Sequence, residues 1–281
     1  MKHIPVLLDA VLDAIGDIRG ASVLDATFGA GGYTRAFLER GANVTAFDRD
    51  PNVMVDVHAI QQEYGNHFNF IPRAFSHMSE LSDQFDAIVF DLGISSMQID
   101  TPERGFSFRA DAPLDMRMSD DGPTVYDMFD KWTVGDITKI LRDFGDIKPA
   151  VAIANAIKKT MPKTTFALKD LIHNPRDIAP TFQALRIAVN DEMGELVRAL
   201  DVVPKLLCPG GRCICVTFHS IEDRIVKDAF RKWTTPVGDP RMPVLEKAPF
   251  DLLKTKTPTT QEITNNPRAR SAHMRGVVKL C

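Results

Sequence analysis

Three short apolar runs in this sequence end on an acidic residue, and a glycine-rich turn follows the first of them. The first, 22–27, carries Asp25 and leads into Phe28-Gly29-Ala30-Gly31-Gly32-Tyr33-Thr34. The second, 43–48, closes on Asp48, and the third, 86–92, carries Asp91 near its end. A glycine turn lets the backbone approach a ligand closely, and the helix start behind it favours negative charge. A dinucleotide fingerprint would need G-x-G-x-x-G/A, but counting from Gly29 the last position is Thr34, so that fingerprint fails. A phosphate loop fails too, because no Gly-Lys-Ser/Thr follows. Asp48, 19 residues after Gly29, can accept both ribose hydroxyls of an adenosine group, a contact that a 2′-phosphate would repel. An acid placed before the glycines suits a ligand that brings positive charge. S-adenosylmethionine, with its sulfonium and its ammonium, is such a ligand.

These residues need elements to position them. Residues 35–40 are compatible with a helix, a further helix spans about 53–64, and 68–71 is a short β-rich run. Strands alternating with helices imply an α/β fold with a parallel, doubly wound sheet. The alternation stops near residue 99, and helical patterns follow at 134–144, 150–159 and 166–172. Ordinary α/β connections are far shorter than this. The expected organisation is therefore a doubly wound α/β domain, 1–101 and 182–281, with an inserted helical subdomain at 102–181. The sheet is expected to resume after one long amphipathic helix, 182–207, with a strand at 212–218 and a last strand near 276–280.

The 281 residues are 44% hydrophobic and 25% charged, which excludes disordered, collagen-like and fibrous classes. Four cysteines make no disulfide framework. Cys208, Cys213, Cys215 and His219 could suggest zinc, but their spacing matches no C-x-x-C pair, so buried thiols and no metal are expected. Asp9 comes too soon for a secretory apolar region, and no run approaches the roughly 20 apolar residues of a membrane helix. A soluble cytoplasmic protein with no membrane partner is expected. The net charge of −3 hides an asymmetry: from Arg224 onward 12 Lys/Arg face 5 Asp/Glu, which leaves 22 basic and 32 acidic groups before it. A basic tail of this kind either meets a polyanion or is a solvated surface.

The glycine turn and its acids resemble the nucleoside-binding half of Rossmann-like methyltransferases. Longer stretches are more specific. They are His3-Ile4-Pro5-Val6-Leu7-Leu8, 91–100 (DLGISSMQID), 103–108 (ERGFSF) with 114–118 (LDMRM), 181–190 (TFQALRIAVN), 218–227 (FHSIEDRIVK) and Asn266-Pro267-Arg268-Ala269-Arg270-Ser271. Together, in collinear order from about residue 3 to 275, they resemble the signatures of the MraW/RsmH family. Those are S-adenosylmethionine-dependent enzymes that methylate the exocyclic N4 of a cytidine in the decoding region of bacterial small-subunit (16S) rRNA.

The resemblance implies cofactor contacts at Gly31, Gly32 and Tyr33 of the turn, and at Asp48, Phe75, Asp91 and Gln98. Asp91 is also the candidate catalytic group, accepting from the amino group that reacts. Arg104, Arg117, Arg186, Arg268 and Arg270 are candidate RNA contacts, and the implied partner is small-subunit rRNA in an assembled or nearly assembled 30S particle. Tyr33 stands where the family usually has His, and the Asp/Asn-Pro-Pro-aromatic motif of amino-methyltransferases is absent after Asp91. Other readings stay open. Asp25 either brackets the cofactor or braces the turn, and His219 is either a site residue or a structural one. Arg104, Arg109 and Arg117 contact RNA or belong to a packed loop. Ser220 and Asp223, spaced S-x-x-D, are expected to form a capping box. A different class of function, an RNA-binding assembly factor with weak catalysis, is the competing reading.

Overall fold

The structure, a computed structural model, describes residues 5–236 and 247–280; His3 and Ile4 of the N-terminal motif lie outside them. One seven-stranded sheet holds β1 (Ser22–Asp25), β2 (Asn43–Phe47), β3 (Phe68–Ile71), β4 (Phe85–Asp91), β5 (Leu207–Thr217), β6 (Phe250–Leu252) and β7 (His273–Lys279). Their order is β3-β2-β1-β4-β5-β7-β6, and the first five run parallel. The chain winds from β1 out to β3, then crosses back to β4 on the other side of β1. Ligands of such sheets bind where the winding reverses, beyond the carboxyl ends of the strands. Asp25 pairs with Ala46 and Val89, Asp91 pairs with Val216, and Asp48 directly follows β2. All three acids therefore stand at that edge.

β4 reads as a nearly continuous apolar run because both of its faces are covered; only Asp86 is exposed. Leu24, Ile88, Phe90, Cys213 and Cys215 lie in this core, against Leu200 and Val203. The sheet is not parallel throughout, as the alternation suggested. β7 pairs antiparallel with β5, and β6 antiparallel with β7. The last strand also begins three residues earlier than expected, at His273. Two antiparallel strands need no crossover helix, so helical alternation carried no sign of them.

The chain divides into two compact units, 1–93 with 194–281, and 94–193. The first holds the sheet with helices α1 (Leu8–Ile15), α2 (Gly32–Leu38) and α3 (Met54–Tyr64). The second has its own core, in which Phe129, Ile137, Leu141, Ile157 and Leu168 are fully buried. Its helices are α4 (Ser96–Asp100), α5 (Val125–Lys131), α6 (Val134–Gly145), α7 (Ala150–Thr160), α8 (Thr165–Lys169) and α9 (Ile178–Asn190). Thr124 with Asp127 and Thr133 with Asp136 form capping boxes that start α5 and α6.

The boundaries differ from 102–181 because α9 gives Phe182, Ala184 and Leu185 to the second core. The single helix expected over 182–207 is two helices, α9 and α10 (Glu192–Leu206), parted at Asp191 in the left-handed region (φ 48°). The break is held from both sides. Arg186 and Glu192 pair across it, and the Asn190 amide donates to the Met116 carbonyl at 2.7 Å while its oxygen accepts from the Met118 N–H at 2.8 Å. After β5 come α11 (Ser220–Trp233) and α12 (Thr260–Asn265). Among the described residues no helix is long and apolar enough to cross a membrane.

Candidate active site at the carboxyl ends of the parallel strands

The glycine turn is packed too tightly for side chains. Gly31 has φ 73°, and a Cβ there would lie 2.7 Å from Ile60 Cδ1 and 2.9 Å from Phe28 Cζ. A Cβ on Gly32 would meet Pro5 Cγ at 2.5 Å. The turn is therefore closed from behind by the chain's own apolar groups. Tyr33 is buried in the first turn of α2, where its hydroxyl donates to the Val6 carbonyl, so only its backbone is placed to meet a ligand.

Asp25 is fully buried under this turn. It accepts from the Thr34 hydroxyl at 2.7 Å and from the Thr27 N–H at 3.1 Å. Burial pushes its carboxyl up to about 6, against those two bonds. With no exposed surface its remaining lone pairs are closed to a ligand, so Asp25 is a brace. Thr34, the residue that breaks the dinucleotide fingerprint, is the partner that makes the brace.

Asp48 is half-buried, and its two oxygens accept from the Gly29 N–H at 2.8 Å and the Asp50 N–H at 2.9 Å. Burial raises its pKa to about 6, while these backbone bonds oppose the rise. A carboxylate oxygen can accept twice, so both oxygens retain capacity for hydroxyl groups. Phe75 follows β3 in a short 3-10 turn and meets Phe90 edge to face, with ring centroids 5.8 Å apart. Its ring is partly buried.

Asp91 is placed differently. Its N–H donates to the Thr27 hydroxyl at 2.7 Å, but Oδ1 is buried with no hydrogen-bond partner. Burial, then the charges of Asp25 and Glu222, hold its carboxyl well above the ordinary range. Glu222 comes from the first turn of α11 and is itself buried; its Oε2 accepts from the Phe218 N–H at 2.8 Å. A group of buried carboxylates with one unsatisfied oxygen suits a cationic ligand and a hydrogen-bond donor.

A sequence profile of the MraW methylase family matches residues 1–280. The chain belongs to that family. Among its relatives are proteins named ribosomal RNA small subunit methyltransferase H. The one from Chelativorans sp. is 44% identical, over 97% of this chain and 86% of its own length. The one from Brucella suis is 42% identical, over 99% and 88%. A solved rRNA methylase from Streptococcus thermophilus superposes with a TM-score of 0.46 at 14% identity, over 100% of this chain and 99% of that one. The family is one of S-adenosylmethionine-dependent methylases, in agreement with the donor that the acids and glycines suggested.

Measured against the family's expected contacts, the first unit brings together Gly31, Gly32, Asp48 and Asp91 at the strand ends, with Phe75 after β3. Gln98 lies in the second unit, buried in α4, where its side-chain oxygen accepts from the Ser95 N–H at 3.0 Å in a capping box.

Several candidate arginines prove structural. Arg186 is 9% exposed and gives both its Nε (2.7 Å) and Nη2 (2.9 Å) to Glu192, so it offers no phosphate contact. Arg117 is committed to Asp115 through Nε and Nη2, and to the carbonyls of Asp120 and Gly122. Arg104 donates to the Arg117 carbonyl at 2.8 Å and lies over the Phe106 ring. The segment around them is a packed loop, with Met116 and Met118 in the core. Arg109, Arg268 and Arg270 are exposed.

The expected Ser220/Asp223 capping box is not the one formed. His219 is the N-cap of α11 and Glu222 its reciprocal partner, and Ser220 is the first residue of the helix. Asp223 is left to pair with Arg275 at 2.6 Å. The sequence reading missed Glu222 and Thr27. A buried acid beside an S-x-x-D match was the available signal, and the stronger-looking match concealed it.

Proposed function

We propose that this chain transfers the methyl group of S-adenosylmethionine to the exocyclic N4 of a specific cytidine in the decoding region of small-subunit (16S) rRNA. The substrate is the assembled or nearly assembled 30S particle, in the cytoplasm. The rRNA part of this reading is supported by relatives at 42–44% identity whose names specify the small subunit. The chemistry rests on one observation, the buried and unpartnered Oδ1 of Asp91 at the end of β4.

When bound, S-adenosylmethionine supplies an electrophilic methyl group on a sulfonium leaving group. The residues fit such a ligand: Asp48 could take the ribose hydroxyls, the backbone at Gly31–Tyr33 would face the methionine part, and Phe75 would pack on the adenine. Cytosine N4 is a poor nucleophile because its lone pair is delocalised into the ring. Asp91 Oδ1 accepts a hydrogen bond from the amino group, which localises that lone pair, and it takes the proton as positive charge develops. Alignment of the nitrogen with the methyl group supplies the rest of the acceleration. The base must leave its stack to reach a carboxylate at this depth.

Incubating the purified protein with radiolabelled cofactor and small-subunit particles, then mapping the labelled nucleoside, tests the reading. Label on N4 of one cytidine supports it. RNA binding without label transfer would favour an assembly factor instead.

A further inference from the structure

The end of β5 holds a polar arrangement that the methyl transfer leaves unused. Glu222 turns back from α11, and its Oε2 accepts from the N–H groups of Phe218 (2.8 Å) and His219 (3.3 Å). In return His219 Nδ1 lies 3.4 Å from the Glu222 N–H and accepts from it. A ring nitrogen that accepts carries no proton, so in the neutral ring the hydrogen resides on Nε2. Nε2 lies 2.9 Å from Glu222 Oε1, but the N–H is not aligned with that oxygen and the atom is buried without a hydrogen bond. In that tautomer His219 presents a donor whose nearest acceptor, Glu222 Oε1, is poorly aligned with it. Its side chain is 13% exposed.

Asp91 Oδ1 is the complementary case, a buried acceptor lacking a donor. The two belong to adjacent strand ends, since Asp91 pairs with Val216, three residues before His219. Glu222 is linked to both. It touches His219, its charge acts on Asp91, and a Cβ on Gly93, two residues after Asp91, would lie 3.9 Å from its Oε1.

A donor and an acceptor at adjacent strand ends suit the pairing edge of cytosine, which offers an amino group next to the bare N3. Uracil presents the reverse order, a carbonyl next to N3–H. We propose that the His219 Nε2–H donates to N3 of the target cytosine while Asp91 Oδ1 accepts from its N4 amino group, so that the pair selects cytosine and orients N4. This rests on the reading that cytosine N4 is methylated. The amino-acid end of the cofactor also carries a donor and an acceptor, but the glycine turn and Asp48 follow β1 and β2. β5 lies two strands from β1, about 10 Å at the usual strand spacing, which favours the base.

The test uses the full-length protein and small-subunit particles whose target cytidine is either natural or 3-deazacytidine, which lacks the N3 acceptor. His219→Asn retains a good helix cap but is too short to place a donor where Nε2 stands. The wild type should lose about ten- to hundredfold in kcat/KM on the deaza substrate, and His219→Asn should lose a similar factor on the natural one. The two losses should not compound when combined, and cofactor affinity by calorimetry should stay unchanged. Compounding losses would overturn the contact. So would a fall in cofactor affinity with deaza sensitivity intact, which would assign His219 to the cofactor. Should the variant not fold, an undiminished wild-type rate on the deaza substrate still refutes the proposal. A mark on an atom other than cytosine N4 would remove the underlying reading itself, whereas N4 methylation indifferent to N3 removes only the His219 contact.

Discussion

Asp25, Asp48 and Asp91 look alike in the sequence, each an acid at or just past a strand end, yet their surroundings give them separate work. Asp25 is sealed under the turn with Thr27 and Thr34, Asp48 shapes the turn but stays half-exposed, and Asp91 keeps an unused oxygen. Asp48→Asn removes the charge and one acceptor oxygen, and sets its amide nitrogen against the Gly29 or the Asp50 N–H. It should weaken cofactor binding by about 1.5–3 kcal/mol, the scale of a charge-assisted hydrogen bond, and calorimetry on the folded variant measures it. Asp25 predicts a pH effect of definite sign. Its carboxyl titrates near 6 when folded against 3.8 ordinarily, so between about pH 4 and 6 the folded state holds a proton that the unfolded chain has released. Stability from this group is therefore lost as pH rises through that window. Asp25→Asn abolishes the term, so urea melts should show the variant gaining on the wild type between pH 4 and 6 and keeping a constant difference above. A difference independent of pH would contradict the raised pKa.

Elements were legible where one pattern had one cause. Strand, glycine turn and helix at 22–40 follow from an apolar run, residues that tolerate a left-handed backbone, and good helix formers. Patterns with two possible causes misled. The apolar period continues across Asp191 because α9 and α10 are both amphipathic, and the break depends on Asn190 and Arg186 reaching partners that no local pattern reveals. S-x-x-D at Ser220 matched a capping box, but the overlapping pair one residue earlier, His219 with Glu222, forms it. That shift frees Asp223 to hold β7 against α11 through Arg275, which draws its carboxyl below the usual range. Arg275→Met should lower stability by about 1–2 kcal/mol, discounted for partial exposure. Thermal melts check this, and the salt dependence of RNA binding should stay as in the wild type.

At the scale of the whole molecule, the charge asymmetry has to be recounted by what each cation touches. Arg275 is paired with an acid, and Lys279 is spent on the carbonyls of Pro204 and Leu207. Arg186 and Arg117, candidates elsewhere in the chain, are likewise committed to Glu192 and Asp115. Arg268 and Arg270 stand exposed on either side of Ala269, whose burial anchors their short 3-10 turn. A cation on an anchored turn can meet a phosphate without first ordering a loop. Contact with phosphate releases counterions, so each charge lost should reduce the slope of log affinity against log salt by about 0.7–0.9. Replacing Arg268 and Arg270 by Ala should therefore weaken binding to small-subunit RNA and flatten the slope by about 1.4–1.8. Cofactor affinity and melting temperature should not change. If these arginines instead brace the fold, the double variant will melt earlier or lose cofactor before it loses RNA. Titrations at several salt concentrations, with melting curves on the same preparation, separate the two outcomes. A stable double variant with the wild-type slope would show that the RNA is held elsewhere.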